Sequence, residues 1–204
     1  MRWFCALALA GFLLVVGAAL RPMFDDAQPA SAPLLSVAEV GFAQDMAVHH
    51  AQALTIANSL GPDVAPEISV LAQQISSSQS IEVGVLQGWL TLLDEPLTSS
   101  TPMQWMHPTG SHSHDAPTMM PGIASWTEIS ELSTLAGTEA EIRFLQLMER
   151  HHRGGIEMAT AGMERATSPT VERTARAMID EQTKDIGYIT MLLEQRGASV
   201  LPYP

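Results

Sequence analysis

Apolar side chains recur at helical spacing along most of the chain beyond residue 35, in segments bounded by capping residues, glycine or proline. Aromatic residues are few, whereas Ala, Leu and Met are abundant, and this balance favours helices over sheets. The pattern predicts four long helices, with a shorter one before the third. Their predicted limits are residues 37–60, 65–93, 125–136, 138–166 and 169–196, with Gly137 ending the short helix.

A different pattern occupies the first 35 residues. An uncharged run from Trp3 to Leu20 is bounded by arginines and is long enough to reach across a thin bilayer. Residues 1–21 are therefore predicted to be a signal peptide or membrane anchor, and the lack of a clear cleavage site favours an uncleaved anchor. Residues 22–35 contain three prolines and are predicted to be a tether. Residues 36–204 would then form one domain outside the cytoplasm.

Within this domain, two halves share a sequence signature. The run 42–50 reads FAQDMAVHH, and the run 144–152, which lies 102 residues later, reads FLQLMERHH. Phe, Gln, Met and both His match. The repeat predicts two related halves, residues 36–95 and 138–197, joined by a linking segment over residues 96–137.

The repeat extends into the second helix of each half. Gln79 and Glu82 match Gln182 and Asp185, with one extra residue in the second half. Each half is therefore predicted to be a helix pair in which the first helix carries Met-x-x-His-His and the second carries Gln-x-x-acid. Two such pairs predict an all-α fold, a four-helix bundle with approximate internal two-fold symmetry.

Helical spacing places the methionine of each run one turn from both histidines, so thioether and imidazole groups share one helix surface. These candidate metal ligands are Met46, His49, His50, Met148, His151 and His152. Met favours Cu(I), and His accommodates Cu(II), zinc or iron. Copper is therefore the predicted metal, with another transition metal as the alternative. Gln79, Glu82, Gln182 and Asp185 are predicted either to bind metal or to orient the imidazoles.

Composition restricts the function further. The net charge of −12 argues against a nucleic-acid partner, although it does not identify a protein partner. The single cysteine, Cys5, lies in the apolar N-terminal run, so the chain alone cannot form a disulfide framework or a thiolate metal site. A metal site must therefore use His, Met and carboxylates.

The linking segment lacks helical periodicity between residues 97 and 125 but is rich in potential ligands. These are Met103, Met106, His107, His112, His114, Met119 and Met120. They predict a possible second, flexible metal site. The alternative is a polar loop in which the histidines are incidental.

Two other functions stay open. Glu149-x-x-His152 matches an element of di-iron bundles and would suit a ferritin-like metal oxidase, but Ala47 occupies the equivalent position in the first half. Binding without turnover is therefore favoured over an enzyme. The other alternative is a structural or interaction bundle in which the imidazoles are buried and bind no metal. Two adjacent glycines, Gly154 and Gly155, predict either close helix packing or room for a ligand.

The two runs, continued to Ala53 and Ala159, resemble the domain-of-unknown-function 305 (DUF305) family. The segment from Met119 to Gly122 also resembles the family's Met-Pro-Gly-Met segment, except that Ile123 replaces the last Met. This resemblance implies a ferritin-like four-helix bundle that is secreted or membrane-anchored in bacteria. It also implies copper binding through Met and His, as in some members.

Matched position by position, the resemblance adds one methionine to the ligand set. The set that it implies is Met46, His49, His50, Met148, His151, His152 and Met158. Asp45, a possible ligand or supporting group, corresponds to Leu147 in the second half. The two halves are therefore not expected to be equivalent.

Overall fold

The computed structural model describes residues 34–106 and 119–203. In these residues it contains five α-helices, one 3₁₀ turn and no strand, so the all-α prediction is confirmed. The helices are α1 (Val37–Asn58), α2 (Pro66–Leu92), α3 (Trp126–Leu132), α4 (Gly137–Arg165) and α5 (Pro169–Gln195), and the 3₁₀ turn is Gln104–Met106. The predicted anchor and all but the last two residues of the predicted tether lie outside the described residues, as do the linking-segment histidines His107, His112 and His114.

Helix limits agree with the sequence pattern except around the short helix. A capping box of Ser125 and Glu128 starts α3 as expected, but the helix ends at Leu132, before the predicted limit at residue 136. Gly137 does not end this helix. It is the first residue of α4, and its φ is +56°. This left-handed backbone, which glycine adopts without strain, turns the chain into α4.

The two halves cap each other's helices. Glu39 of α1 accepts hydrogen bonds from the backbone N–H groups of Thr167 (2.8 Å) and Ser168 (2.7 Å) at the start of α5. At the equivalent position of α4, Glu141 accepts a 2.7 Å hydrogen bond from Ala65 N at the start of α2. Both glutamates are buried. A carboxylate at a helix N-terminus satisfies free N–H groups and favours the helix dipole, so these contacts hold the halves together.

In the bundle, α1 packs against α4, α2 packs against α1, and α5 packs against α4. The core contains two apolar clusters. A methionine-rich cluster includes Phe42, Met46, Leu86, Leu90, Met103, Trp105, Met106, Met158, Val171 and Met178. An aliphatic cluster includes Ile56, Ile68, Leu71, Ile75, Leu132, Phe144, Leu145, Met148, Ile189 and Leu193.

Each long helix contributes to both clusters and carries polar residues between the two contributions. In α1, for example, His49 and His50 separate Met46 of one cluster from Ala53 of the other. The four sets of polar residues define a central polar layer. We use that name for His49, His50, Gln79, Glu82, His151, His152, Gln182 and Asp185. In the part of the chain that the structure describes, no helix combines the length and hydropathy needed to cross a membrane.

Candidate metal centre

The polar layer is buried. All four imidazole side chains have no exposed surface, and Gln79 and Gln182 are each 2% exposed. Burying polar groups among apolar side chains costs free energy unless they find partners, so their contacts indicate what stabilises them.

The outer histidines contact carboxylates on the second helix of their own half. Nε2 of His50 lies 2.7 Å from Glu82 Oε2, and Nε2 of His152 lies 3.0 Å from Asp185 Oδ2. The repeat is therefore preserved in three dimensions. Both carboxylate side chains are partly exposed, at 17% and 24%, so each histidine is held from the solvent side of the layer.

The inner histidines stack on each other across the two halves. The ring centroids of His49 and His151 are 3.9 Å apart, and the ring planes are tilted by 33°. Nε2 of His49 lies 3.1 Å from the carbonyl oxygen of Pro121, and Nε2 of His151 lies 3.0 Å from that of His49. A carbonyl oxygen only accepts, so each Nε2 carries the proton and each Nδ1 presents a lone pair.

Several buried polar atoms of the layer have no hydrogen-bond partner among the described residues. They are Nδ1 of all four histidines, Nε2 of His50, Oε1 of Gln79, and both side-chain amide atoms of Gln182. His50 Nε2 lies close to Glu82 Oε2, but not in hydrogen-bond geometry. Histidines that bind metal commonly hold one ring nitrogen against a carboxylate or carbonyl oxygen and present the other to the ion. Each of the four imidazoles holds Nε2 near an oxygen atom of the protein and leaves Nδ1 as the nitrogen available to an ion.

Burial also fixes the charge state of the inner pair. Desolvation, with a further contribution from neighbouring His50, lowers the pKa of His49 to about 3. Desolvation and the proximity of His49 lower the pKa of His151 well below its ordinary value. Both imidazoles are therefore neutral near pH 7, which is the protonation state that coordinates metals.

The carboxylates do not complete a closed site with the imidazoles. Within residues 34–106 and 119–203, no group of three or more His, Cys, Asp or Glu side chains is arranged to hold one metal ion. Glu149, which the di-iron comparison singled out, is buried and contacts Arg153 at 2.5 Å. Among the described residues, amides and thioethers are the remaining donor types beside the layer.

Thioethers lie on both sides of the layer. Met46 belongs to the methionine-rich cluster and Met148 to the aliphatic cluster, as expected if a two-fold axis through the layer relates the halves. Met158 is also fully buried. Sequence analysis missed Met178, which lies in the methionine-rich cluster one turn before Gln182. Its repeat counterpart is Ile75, so only the helical spacing from Gln182 could have identified it.

Part of the linking segment covers the layer. The side-chain amide of Gln52 donates to Ala124 O (2.8 Å) and accepts from Ala124 N (2.7 Å). Gly154 makes room for this segment, since a Cβ there would lie 1.9 Å from the oxygen of Pro121. A Cβ at Gly155 would lie 2.1 Å from Gln182 Oε1. Gly154 therefore makes room for the covering segment, and Gly155 makes room for the side chain of Gln182. The space beside the two glycines is filled by groups of the protein itself.

The linking-segment methionines do not share one environment. Met103 and Met106 are buried in the methionine-rich cluster, Met120 packs against it, and Met119 is 70% exposed. Asp45 holds the segment that carries Met103 and Met106 in place. Its Oδ2 accepts hydrogen bonds from Met103 N (2.6 Å) and from Trp105 Nε1 (2.9 Å).

Asp45 thus accepts its hydrogen bonds from the linking segment, and in the described residues it has none with the imidazoles. Burial raises the pKa of its carboxyl group, although the bonds from Met103 and Trp105 oppose that shift. Leu147, its counterpart in α4, cannot accept a hydrogen bond. This residue pair therefore explains why an ordered 3₁₀ turn packs on the methionine-rich end of the bundle.

Fold and site together define a class: a helical bundle with a buried, duplicated histidine layer. Residues 39–193 match the sequence profile of the family described as "Domain of unknown function (DUF305)", and the chain belongs to this family. None of the curated protein sequences matches it significantly.

Solved structures of this family are similar to the chain. A candidate secreted DUF305 protein from Streptomyces coelicolor is 38% identical, with a TM-score of 0.74, covering 81% of this chain and 98% of that one. A DUF305 fragment from Deinococcus radiodurans is 31% identical, with a TM-score of 0.65 and coverage of 79% and 98%. CopM in its Cu(II)-bound form has the same fold at 19% identity, with a TM-score of 0.60 and coverage of 77% and 96%.

Proposed function

We propose that this protein binds copper at the central polar layer, as a binding or buffering protein without turnover chemistry. The observation that carries the proposal is the set of four buried imidazoles whose Nε2 atoms face oxygen and whose Nδ1 atoms have no partner. The inner histidines, His49 and His151, would bind the ion through Nδ1. The outer histidines, His50 and His152, would offer Nδ1 as further ligands.

Copper is favoured over other metals by the donor types around the layer. Thioethers of Met46 and Met148 lie in the adjacent apolar clusters, and thioether is a soft ligand that suits Cu(I). A di-iron site would call for carboxylates shared between two ions, whereas each carboxylate here contacts a single imidazole. CopM, which has the same fold, was solved with Cu(I) and with Cu(II), and this supports the choice of metal.

An extracytoplasmic location is part of the proposal. It is supported by the uncharged N-terminal run from Trp3 to Leu20 and by the similarity to a candidate secreted protein. Methionine and histidine are also durable ligands in an oxidising compartment, where free thiols are lost.

A copper-loading experiment tests the proposal. The full chain and a His49→Gln/His151→Gln variant would be loaded with Cu(I) or Cu(II), and bound copper would be measured in competition with a chromogenic chelator. We expect the variant to lose the tightest site. A matched control, in which His107, His112 and His114 are replaced by Ala, should keep it. Equal tight binding by the wild type and the polar-layer variant would overturn the proposal.

A second function is favoured by one observation: in the described residues, no group of three or more His, Cys, Asp or Glu side chains is arranged to hold a metal ion. In this alternative the polar layer is purely structural, and its hydrogen bonds fix the pairing of the halves. It predicts that the His49→Gln/His151→Gln variant loses thermal stability while copper uptake stays unchanged. Measuring both quantities on one sample separates the alternatives.

A further inference from the structure

The outer face of α2 differs from that of α5, the equivalent helix of the second half, because it carries no charge. Between Ile68 and Leu93 the only charged residue is Glu82, which contacts His50 in the polar layer. By contrast α5, the equivalent helix, carries eight charged residues. Charged side chains normally cover solvent-facing helix surfaces, so an uncharged face on a chain of net charge −12 needs an explanation.

Large apolar side chains are exposed on this face. Ile81 is 67% exposed, Val85 is 40% exposed and Leu92 is 85% exposed, and they recur at the i, i+4 and i+11 spacing of one helix surface. At the positions equivalent to Ile81 and Val85, α5 has Lys184 and Tyr188. The apolar stripe is therefore specific to the first half.

Two glycines lie beside this stripe. Gly84 and Gly88 lie one turn apart in the middle of α2, and a Cβ at either position would meet no atom within 4 Å. No packing contact among the described residues requires them, although glycine is among the residues least favourable to a helix. A shallow groove along Gly84 and Gly88 therefore adjoins a ridge formed by Ile81 and Val85.

We propose that this α2 face, defined by Ser77, Ile81, Gly84, Val85, Gly88 and Leu92, is a homodimer interface. Ridges at i, i+4 spacing pack into the corresponding grooves of a second helix. Here ridge and groove lie on the same helix, so two copies related by a two-fold axis can each place Ile81 and Val85 into the other's Gly84–Gly88 groove. This self-complementarity identifies a second copy as the occupant.

Charge supports the same occupant. Two chains of net charge −12 repel each other, and contact through an uncharged face keeps their carboxylates out of the interface. A single helix crossing buries less surface than an obligate dimer, so the dimer should dissociate on dilution. The inference concerns the outer surface of α2 and does not depend on copper binding.

Sedimentation velocity of the full chain, from about 1 to about 100 µM, tests the proposal. The wild type should show a concentration-dependent dimer. Val85→Asp should raise the dimer dissociation constant by about tenfold or more, because it buries carboxylates near the axis. The matched control is Tyr188→Asp, since Tyr188 is the repeat counterpart of Val85 and is 39% exposed; it should leave the constant unchanged.

Gly88→Leu provides a second variant that adds no charge and favours the helix. It fills the groove and should also weaken the dimer, even if Val85→Asp impairs folding as measured by circular dichroism. A wild type that stays monomeric throughout would overturn the proposal. Association that persists unchanged in both α2 variants would also overturn it, and would place the contact elsewhere, for example in the apolar N-terminal run.

Discussion

The two halves of this bundle keep the same chemistry at the centre and differ in what surrounds it. In both, a glutamate of the first helix caps the second helix of the other half, and an outer histidine contacts a carboxylate of its own half. Only the first half has Asp45 to hold the 3₁₀ turn, and only the second has Gly154 to admit the covering segment. Duplication has therefore preserved the polar layer while the linking segment uses each half differently.

Removing the cross-half caps should produce the largest loss of stability. Glu39→Gln removes a buried carboxylate that accepts from Ser36, Thr167 and Ser168, and we expect it to lower the free energy of unfolding by about 3 kcal/mol. Glu141→Gln should cost about 2 kcal/mol, because among the described residues Glu141 accepts from Ala65 and Arg196. Urea denaturation measures both. A larger loss for Glu141→Gln than for Glu39→Gln would contradict this order.

The next effect distinguishes the adjacent glycines of α4. Gly154→Ala would bring a Cβ against the backbone of Pro121, which cannot move without displacing the covering segment, so we expect a loss of about 2 kcal/mol. The atoms nearest to a Cβ at Gly155 belong to the Gln182 side chain, which can move, so Gly155→Ala should cost about 1 kcal/mol. Thermal unfolding of the two variants measures the difference. Equal melting temperatures would show that the segment adapts freely.

Replacing Asp45 with the residue found in the other half tests the origin of the asymmetry. Asp45→Leu leaves Met103 N and Trp105 Nε1 without an acceptor, and we expect it to cost about 2 kcal/mol. Asp45→Asn keeps one acceptor oxygen and should cost about half as much. Trp105 fluorescence should report release of the 3₁₀ turn in the leucine variant. An unchanged spectrum would argue against this role for Asp45.

The inner histidines predict an effect that appears only on acidification. The pKa of His49 is about 3 in the folded chain against 6.5 for an ordinary histidine, so on acidification the unfolded state binds the proton first. Stability contributed by the neutral ring is thus complete above pH 6.5 and is lost as the pH falls toward 3. His49→Gln should flatten the dependence of melting temperature on pH in this window. A slope equal to that of the wild type would contradict the assignment.

Sequence patterns predicted the fold well because the helix limits depend on local signals. The capping boxes at Ser36 and Ser125, and the prolines at the starts of α2 and α5, act within a few residues of themselves. The repeat also singled out Glu82 and Asp185 as the partners available to the outer histidines.

Long-range contacts were harder to predict. Nothing local indicates that Glu39 reaches Ser168, or that the carbonyl oxygen of Pro121 meets His49. Both depend on how the halves and the linking segment pack. Met178 was missed because its repeat counterpart is Ile75, so the repeat does not single it out. It joins the methionine-rich cluster through the packing of α5 on α4.

The most direct test of the copper proposal is anomalous diffraction at the copper edge, from crystals of the protein grown with Cu(I). The account predicts an anomalous peak inside the polar layer, within bonding distance of Nδ1 of His49 or His151. A peak confined to the linking segment or the surface, with the polar layer empty, would contradict it.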